Sequence, residues 1–393
     1  MNRMARTLVS IFVLLVCTGL ATSAARADEE PPVVRAFLDS SAINAAGRPT
    51  YGSLDVAGDG TITLGDLKTT FEADSDPEMA MSYDIKTLVL AGVKDMGGGL
   101  FEVATAEWRH TIVTSGGESV AAVPLITAKS LYIHQPGEEL TAIERLRSSN
   151  VLAREFAIPE ALVLLDNHSI VLEGLSGTWD GDPMTGAGTS QFAARRIHIP
   201  AGVFEDDDNP LAMAGYSELE LAVEGTSTTV YSADAVGFDL EMRLDGRDVG
   251  RLIVELGADG IPLALFSAVD TEADPDALLP FAENVSLKRA RIRFEDGSLT
   301  GRLLSLMAEM EDTDVETLVA DGTAELDAVL AEVLEPDLAR QVSAALTAYL
   351  NDPKSLTFAL SPAMPVHFAQ VMAGLEDPMT LIELLKPSIT AND

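Results

Sequence analysis

Apolar and polar positions alternate along most of the chain. From Leu54 to Phe294, single polar residues separate apolar ones, as at Leu219, Leu221 and Val223. A period of two places every second side chain on the same face of a strand, so the pattern predicts strands with one buried and one solvated face. The segments that carry it begin near Ile62, Tyr83, Phe101, Ile126, Ile170, Phe192, Leu219, Phe238 and Leu252.

Turns rich in glycine and aspartate separate these segments. Gly58-Asp59-Gly60 and Asp245-Gly246 are two of them, and such clusters favour tight reversals between neighbouring strands. Within the segment that starts near Phe101, the alternation continues through Trp108, His110 and Ile112, which predicts one shared face for the three side chains. We therefore predict a meander of mostly antiparallel strands.

The pattern changes near Ser298, where apolar residues begin to recur every three or four positions. Leu299, Leu303 and Leu306 lie on one face of a helix with that period. The same reasoning predicts helices over residues 138–148 and 326–334, from Pro336 to Leu350 and from Val366 to Leu375, with a strand from Leu356 to Leu360.

A short helix is also predicted between the first two of the C-terminal helices. Thr313 and Glu316 have the spacing of a capping box, in which each side chain bonds the other residue's backbone N–H group. Asp321-Gly322 is a turn signal, and we predict that this helix ends there.

Many strands followed by a group of helices indicate an α+β fold and not a doubly wound α/β fold. We predict a long, mostly antiparallel, meandering β-sheet followed by a C-terminal helical cluster with flanking strands. The predicted divisions are a signal peptide at 1–27, a β-rich domain at 28–283 and a C-terminal α+β domain at 284–393. The alternative is that the last two form one continuous unit.

The first residues have the three parts of a secretory signal. Arg3 and Arg6 precede an apolar stretch, and Ala25 and Ala27 supply small side chains where a signal peptidase cleaves. We predict cleavage after Ala27 and a periplasmic location. The stretch is short for a membrane span, which takes about 20 residues, and no later segment is long and apolar enough, so we predict no membrane crossing.

The chain is strongly acidic, with 26 basic and 62 acidic residues and a net charge of −36. Cleavage after Ala27 would remove three arginines and leave a charge of −39. Such a field repels nucleic acid and anionic membranes. The single cysteine, Cys17, lies in the predicted signal, so the mature chain would lack disulfides and thiolate chemistry. A hydrophobic fraction of 47% argues against disorder.

Two acidic segments resemble calcium-binding loops. The loop from Asp55 to Asp66 places Ala57 where an oxygen ligand is needed and the short Asp66 where a glutamate is needed. The interpretation that we favour is a β-hairpin with Gly58-Asp59-Gly60 at its tip. Residues 205–209 are an acidic run, which we interpret as a solvated loop, with weak calcium binding as the alternative.

Catalytic motifs are missing from the sequence. The five histidines are not spaced as a metal pair, and we predict no metal site and no cofactor. Residues 174–178 lack the last glycine of a hydrolase nucleophile elbow. We therefore predict no catalytic residues, although a hydrolase site assembled from distant residues stays open.

Three closely spaced arginines form a basic segment in this acidic chain. Arg289, Arg291 and Arg293 alternate with apolar residues, so a strand would place the three guanidinium groups on one face. Arginine binds oxyanions with two parallel hydrogen bonds, which makes these residues a candidate site for an anionic headgroup. The alternative is cross-strand pairing with acidic residues, for example those at 218–224.

Several β-strand phrases resemble those of known envelope proteins. The segments Gly58–Leu67 (GDGTITLGDL), Asp84–Val93 (DIKTLVLAGV) and Ile126–Ile133 (ITAKSLYI) are similar to the YdgA-like and AsmA-like groups. The block Asn284–Asp393 resembles the C-terminus of an uncharacterised alphaproteobacterial secreted family. The resemblance implies a long meandering sheet and a role in envelope lipid homeostasis, although AsmA-like proteins usually carry a membrane anchor.

Together these features predict a soluble periplasmic protein that is not an enzyme. We expect it to bind a lipid or another amphipathic ligand in maintenance of the cell envelope. One alternative is a structural or interaction module whose partner is another envelope protein, and the other is a secreted hydrolase. The sequence predicts no nucleic-acid partner.

Overall fold

The computed structural model describes residues 30–43, 47–71, 80–137, 152–165, 168–204, 209–232, 235–263, 284–374 and 378–393. The strands are β1 (Ser53–Val56), β2 (Ile62–Phe71), β3 (Met81–Gly97), β4 (Leu100–Ser115), β5 (Glu118–His134), β6 (Leu152–Leu165), β7 (His168–Gly181), β8 (Gly188–Ile199), β9 (Leu219–Tyr231), β10 (Ala235–Gly246), β11 (Gly250–Pro262), β12 (Ser286–Asp296), β13 (Ser355–Leu360), β14 (Val366–His367) and β15 (Pro387–Ala391). The helices are α1 (Pro32–Ser41), α2 (Pro210–Met213), α3 (Leu299–Met310), α4 (Val315–Val333), α5 (Pro336–Asn351), α6 (Phe368–Gly374) and α7 (Pro378–Leu385).

The fifteen strands follow chain order in one sheet. Neighbours run from β1 to β13, after which β15 pairs with β13, while β14 pairs with β12. Each pair whose register is described is antiparallel. The prediction of a long antiparallel meander followed by a helical cluster with flanking strands is therefore confirmed.

The chain divides into two compact units. The first comprises Met1–Arg195, Thr228–Val236 and Pro262–Leu278, and the second comprises Arg196–Ser227, Gly237–Ile261 and Leu279–Asp393. The predicted domain boundary at residue 283 stays a prediction. The predicted signal peptide, the helix at 138–148 and the acidic residues 205–208 lie outside the described residues.

Three details of the predicted helices are wrong. Helix α4 runs from Val315 to Val333 without ending at Asp321-Gly322, because the packing of a long helix outweighs the roughly 1 kcal/mol that an interior glycine costs. The N-cap is Asp314, whose carboxylate accepts the N–H of Thr317 at 2.8 Å, and not Thr313. The end of the chain also differs, since Val366 and His367 form β14 and the helix begins at Phe368.

Helix α1 is an element that the strand pattern did not predict. Pro32 occupies its first turn, where a missing N–H group does no harm. Val33, Val34, Phe37 and Leu38 are all buried, and they join the core formed with apolar residues of β2–β6. The spacing of these residues is a helical signal that could have revealed α1.

A crease crosses the first unit's sheet from β2 to β7. Four of the five ladders lack one residue pair at this level, while β5–β6 lacks four, over residues 123–126 and 158–161, and the pairs on either side keep their register. The unpaired positions, which together define the crease, are Asp66, Lys86, His110, Pro124, Pro159 and Gly174. Asp66, His110 and Gly174 have positive φ angles of 51°, 54° and 63°, and such backbone bends a strand as a β-bulge does.

The crease changes which side chains face inward. In each strand that it crosses, the inward residues on its two sides are three positions apart and not two. The pairs are Leu64 and Leu67, Ile85 and Leu88, Trp108 and Thr111, Val123 and Ile126, Ile158 and Ala161, and Leu172 and Leu175. The predicted shared face of Trp108, His110 and Ile112 is therefore wrong, because Trp108 is buried whereas His110 and Ile112 are exposed.

Candidate functional site

An apolar cavity of about 150 Å³ lies within the described part of the first unit. The sixteen residues that line it come from β2–β7 and comprise eleven aliphatic, three aromatic and two threonine side chains, with no charged residue among them. The inward residues of the crease on β4, Trp108 and Thr111, both belong to the lining. The cavity therefore lies along the bend of the sheet.

Small side chains on the two middle strands provide the space. Ala121 and Ala128 on β5, and Ala153 and Ala161 on β6, all line the cavity and are all buried. Ala121 is aligned with Val163 across the β5–β6 ladder. A larger side chain at position 121 would fill part of the cavity, whereas alanine leaves that space open. Native interiors contain few voids larger than a water molecule, which makes a cavity of this size a candidate binding site.

Three polar atoms in the cavity wall have no hydrogen-bond partner among the described residues. They are the Oγ1 atoms of Thr69 and Thr111 and the indole Nε1 of Trp108. All three side chains are more than nine-tenths buried. A buried polar group without a partner costs about 1–3 kcal/mol, and native proteins contain few of them. Three in one cavity indicate that the wall suits a ligand with a polar group.

A charged network fixes α1 over the same sheet. Arg48 binds Glu30 at 2.5 Å and Asp39 at 2.7 Å, and the hydroxyl of Tyr51 donates to Glu30 at 2.9 Å. The Glu30 side chain is only 1% exposed. Burial acts to raise the pKa of Glu30, but the hydrogen bonds from Arg48 and Tyr51 outweigh it, so the pKa lies below its ordinary value. This network holds α1 in place over one part of the apolar face.

The C-terminal part of α1 has its own contacts with the sheet. The amide of Gln135 donates to Asp39 at 3.0 Å, and the hydroxyl of Ser40 donates to the carbonyl of His134. Four of the cavity residues, Ile85, Trp108, Ala128 and Ala153, also belong to the core beneath α1. The cavity therefore borders the part of the sheet that α1 covers.

The three predicted arginines all form ion pairs in the second unit. Arg291 lies across from Glu255 in the β11–β12 ladder and binds it at 2.9 Å. Arg289 lies 3.6 Å from Asp239 and 3.4 Å from Glu241. The acidic partners of Arg289 and Arg291 belong to β10 and β11 and not to residues 218–224.

Arg293 is the most enclosed of the three arginines. Its side chain is 14% exposed, and it binds Glu295 at 3.0 Å and Asp393 at 2.6 Å. It also donates to the hydroxyl of Thr357 at 3.0 Å. Hydrogen bonds to Glu295 and Asp393 raise the pKa of Arg293. An anionic headgroup would have to compete with these carboxylates, and the assignment of a headgroup site to the three arginines stays a prediction.

The candidate calcium loop is a β-hairpin. Strands β1 and β2 pair from Ser53 with Gly65 to Val56 with Ile62, and residues 57–61 form the tip. Asp59 accepts the N–H of Thr61 at 2.9 Å, so its carboxylate stabilises the turn. Among the described residues, no group of three His, Cys, Asp or Glu side chains could hold a metal ion.

Two other features of the second unit lack the arrangement of a catalytic or anion-binding site. Ser286 and the Nδ1 atom of His367 lie 2.9 Å apart, but Ser286 is buried and no described carboxylate bonds to the histidine ring. An open groove of about 520 Å³ beside α3 contains Arg302 together with Asp296 and Glu309. Its charges are mixed, and Arg302 is placed over the ring of Tyr216 at 4.4 Å.

Comparison with known proteins gives a family match over part of the chain. A family model described only as "Uncharacterized protein" matches residues 243–392. No curated protein matches the chain. The matched segment includes β12–β15 and α3–α7 and lies outside the strands that line the cavity.

Among the described helices, none combines the length and apolar composition needed to cross a membrane.

Proposed function

We propose that this chain is a periplasmic, non-enzymatic envelope protein that binds a lipid-like or other amphipathic ligand in the cavity of its first unit. The observation that carries the proposal is the apolar cavity along the crease, whose wall holds three polar atoms without a hydrogen-bond partner among the described residues. Ligand sites are typically concave and mostly apolar, with a few polar groups that orient the ligand.

The size of the cavity limits what enters it. An apolar cavity of about 150 Å³ can stay dry and accept a molecule such as benzene. The enclosed part of the site therefore suits one ring or a short length of acyl chain, and the rest of a larger ligand would lie outside it. This supports a ligand with one buried apolar end and one solvated end.

The periplasmic location rests on the predicted signal peptide. Protein recovered from the periplasm should begin at Asp28 when its N-terminus is sequenced. Bulky residues in place of Ala25 and Ala27 should block cleavage, because the peptidase accepts only small side chains at these positions. Recovery of periplasmic protein that begins at Met1 would contradict this part of the proposal.

A cavity-filling variant tests ligand binding. Ala161→Phe would place a ring in the space, whereas Ala104→Phe adds the same ring at an exposed position of β4. Native mass spectrometry and lipid extraction of the periplasmic protein should find a bound molecule in wild type and Ala104→Phe. Ala161→Phe should lose it and keep its thermal stability, because the ring fills existing space.

Two results would count against ligand binding in the cavity. One is equal recovery of the bound molecule from all three proteins. The other is that Ala161→Phe keeps the ligand but lowers the free energy of unfolding by about 1–3 kcal/mol, which is what overpacking a filled core costs. If wild type carries no ligand and binds no apolar probe, the interaction-module alternative is favoured.

A further inference from the structure

The polar atoms of the cavity wall indicate which chemical group the ligand carries there. Resting on the proposed function, we propose that the cavity is specific for ligands with an uncharged oxygen acceptor, such as a ketone, ester or alcohol, next to their apolar end. The donors are the indole of Trp108 and the hydroxyl of Thr111, and the hydroxyl of Thr69 is a further contact.

The strand registers put two of the donors on one strand and the third two strands away. Trp108 and Thr111 are the inward residues on the two sides of the crease on β4, and Thr111 is aligned with Ile85 of β3. Thr69 belongs to β2, two strands from β4. Since neighbouring strands are about 4.8 Å apart, Thr69 lies roughly 10 Å from β4. Trp108 and Thr111 are themselves three residues apart, roughly 10 Å along β4, and the proposal is that one ligand oxygen lies between the indole and the hydroxyl, while Thr69 contacts another part of the ligand.

The hydrogen-bonding chemistry of Trp108 and Thr111 determines which functional group of a ligand they can bind. An indole N–H can only donate a hydrogen bond, so Trp108 requires an acceptor. A hydroxyl can donate or accept, so Thr111 can serve a carbonyl or an alcohol. The described lining holds no lysine, arginine or histidine, and an ionised carboxylate moved from water into such a wall would lose its hydration without gaining a counter-ion. The site thus favours neutral oxygen over a carboxylate.

The Thr111 hydroxyl has no hydrogen-bond partner among the described residues, so on this proposal it serves binding and not folding. Thr111→Val replaces a buried hydroxyl with a methyl group of similar shape, and valine suits a strand. Removal of an unsatisfied polar group should raise the midpoint of thermal unfolding. A hydroxyl that served only structure would give the opposite result, because its loss would lower the midpoint.

Three ring-sized probes test the specificity on the full-length mature protein. Toluene reports apolar fit, acetophenone adds a ketone, and benzoate adds a negative charge. Calorimetry or competition should show that wild type binds acetophenone and toluene but binds benzoate at least about tenfold more weakly than acetophenone. The main readout is the ratio of the toluene Kd to the acetophenone Kd, because this ratio cancels the apolar contribution.

Variants then assign the ketone contact to the two donors. Thr111→Val and Trp108→Phe should each lower the ratio by about tenfold, the value of one hydrogen bond of about 1.4 kcal/mol. Toluene binding should stay within about twofold. Thr105→Val is the control, because it makes the same change at an exposed position of the same strand, and it should leave the ratio unchanged.

The outcomes separate this inference from the proposed function. If toluene binds and the ratio is unchanged in Thr111→Val and Trp108→Phe, the specificity is disproved while apolar ligand binding stands. Benzoate binding as tight as acetophenone binding would also overturn it. If none of the probes binds wild type, the proposed function fails as well.

Discussion

The two units use the same kind of strand but bury different faces of it. In the first unit, β2–β7 bury their apolar face beneath α1 and around the cavity. In the second unit, β13 buries Ser355 and Thr357 and leaves Phe358 44% exposed. Its neighbour in the ladder, Ile292 of β12, is 50% exposed. Alternation therefore identifies two faces of a strand, but the elements packed on the sheet determine which face is covered.

The charged groups show the same contrast. The first unit encloses Glu30 within a network of Arg48, Tyr51 and Asp39, whereas Arg289 and Arg291 of the second unit remain about half exposed. Water screens the second kind of pair but not the first. Equal substitutions in the two units should therefore have unequal effects on stability.

The largest effect is expected when the buried network of the first unit is broken. Arg48→Ala should lower the free energy of unfolding by about 3 kcal/mol, because it leaves Glu30 buried without a counter-ion. Arg109→Ala is the control, since its pair with Glu107 is exposed and should contribute under about 0.5 kcal/mol. Denaturant unfolding measures both. Equal losses in the two variants would show that α1 does not depend on the network.

Acid should weaken the same network. The pKa of Glu30 lies below its ordinary value near 4.5, so its stabilisation is complete above that value and is lost as the pH falls through the lowered pKa. Wild type should therefore be more stable than Glu30→Gln at pH 7, and the difference should shrink toward zero as the solution is acidified below pH of about 4. A difference that grows on acidification would mean that the carboxylate destabilises the fold.

A matched pair of isoleucines tests the two sheet faces. Ile85→Thr in the first unit should lower the free energy of unfolding by about 2–3 kcal/mol, because the side chain is buried and a hydroxyl there would be desolvated. Ile292→Thr should cost under about 0.5 kcal/mol, because the side chain is half exposed. Thermal unfolding of the two variants measures the difference. A large loss from Ile292→Thr would indicate that another molecule covers this face.

The exposed arginine pairs should matter less. Arg291→Ala removes the pair with Glu255 and should cost about 0.2–1 kcal/mol. If the predicted headgroup site exists, a variant with alanine at 289, 291 and 293 should also lose bound anionic lipid, which lipid analysis of the same samples would detect. Equal anionic lipid in wild type and the triple variant would remove the arginines from any ligand site.

The smallest effect concerns calcium. Because Asp59 caps a hairpin turn and the loop lacks a bidentate glutamate, the protein should show no stoichiometric micromolar binding in a calorimetric titration. Asp59→Ala should cost only a few tenths of a kcal/mol through loss of its bond to the Thr61 N–H. Tight binding that Asp59→Ala abolishes would replace the hairpin interpretation with a metal site.

Local sequence was enough to predict most of the elements. A period of two is imposed by the strand backbone itself, and a period near 3.6 by the helix, so β2–β5, β7–β12, α3 and α5 could be recognised from their own residues. Strand β6 was not predicted. The Gly58-Asp59-Gly60 tip was equally local, because only short-range backbone geometry is involved. Helix α1 carries the same kind of local signal.

The cavity was decided by tertiary structure. The crease needs unpaired residues to meet in every ladder from β2 to β7, and that alignment depends on registers between segments far apart in sequence. The shift from two to three positions between Trp108 and Thr111 follows from this alignment, and so does the meeting of four alanines from two strands. The sequence by itself determined that these strands have an apolar face. Only the packing of the strands and of α1 decided where that face is filled and where it encloses space. The space left at any point depends on which side chains three-dimensional packing brings together there.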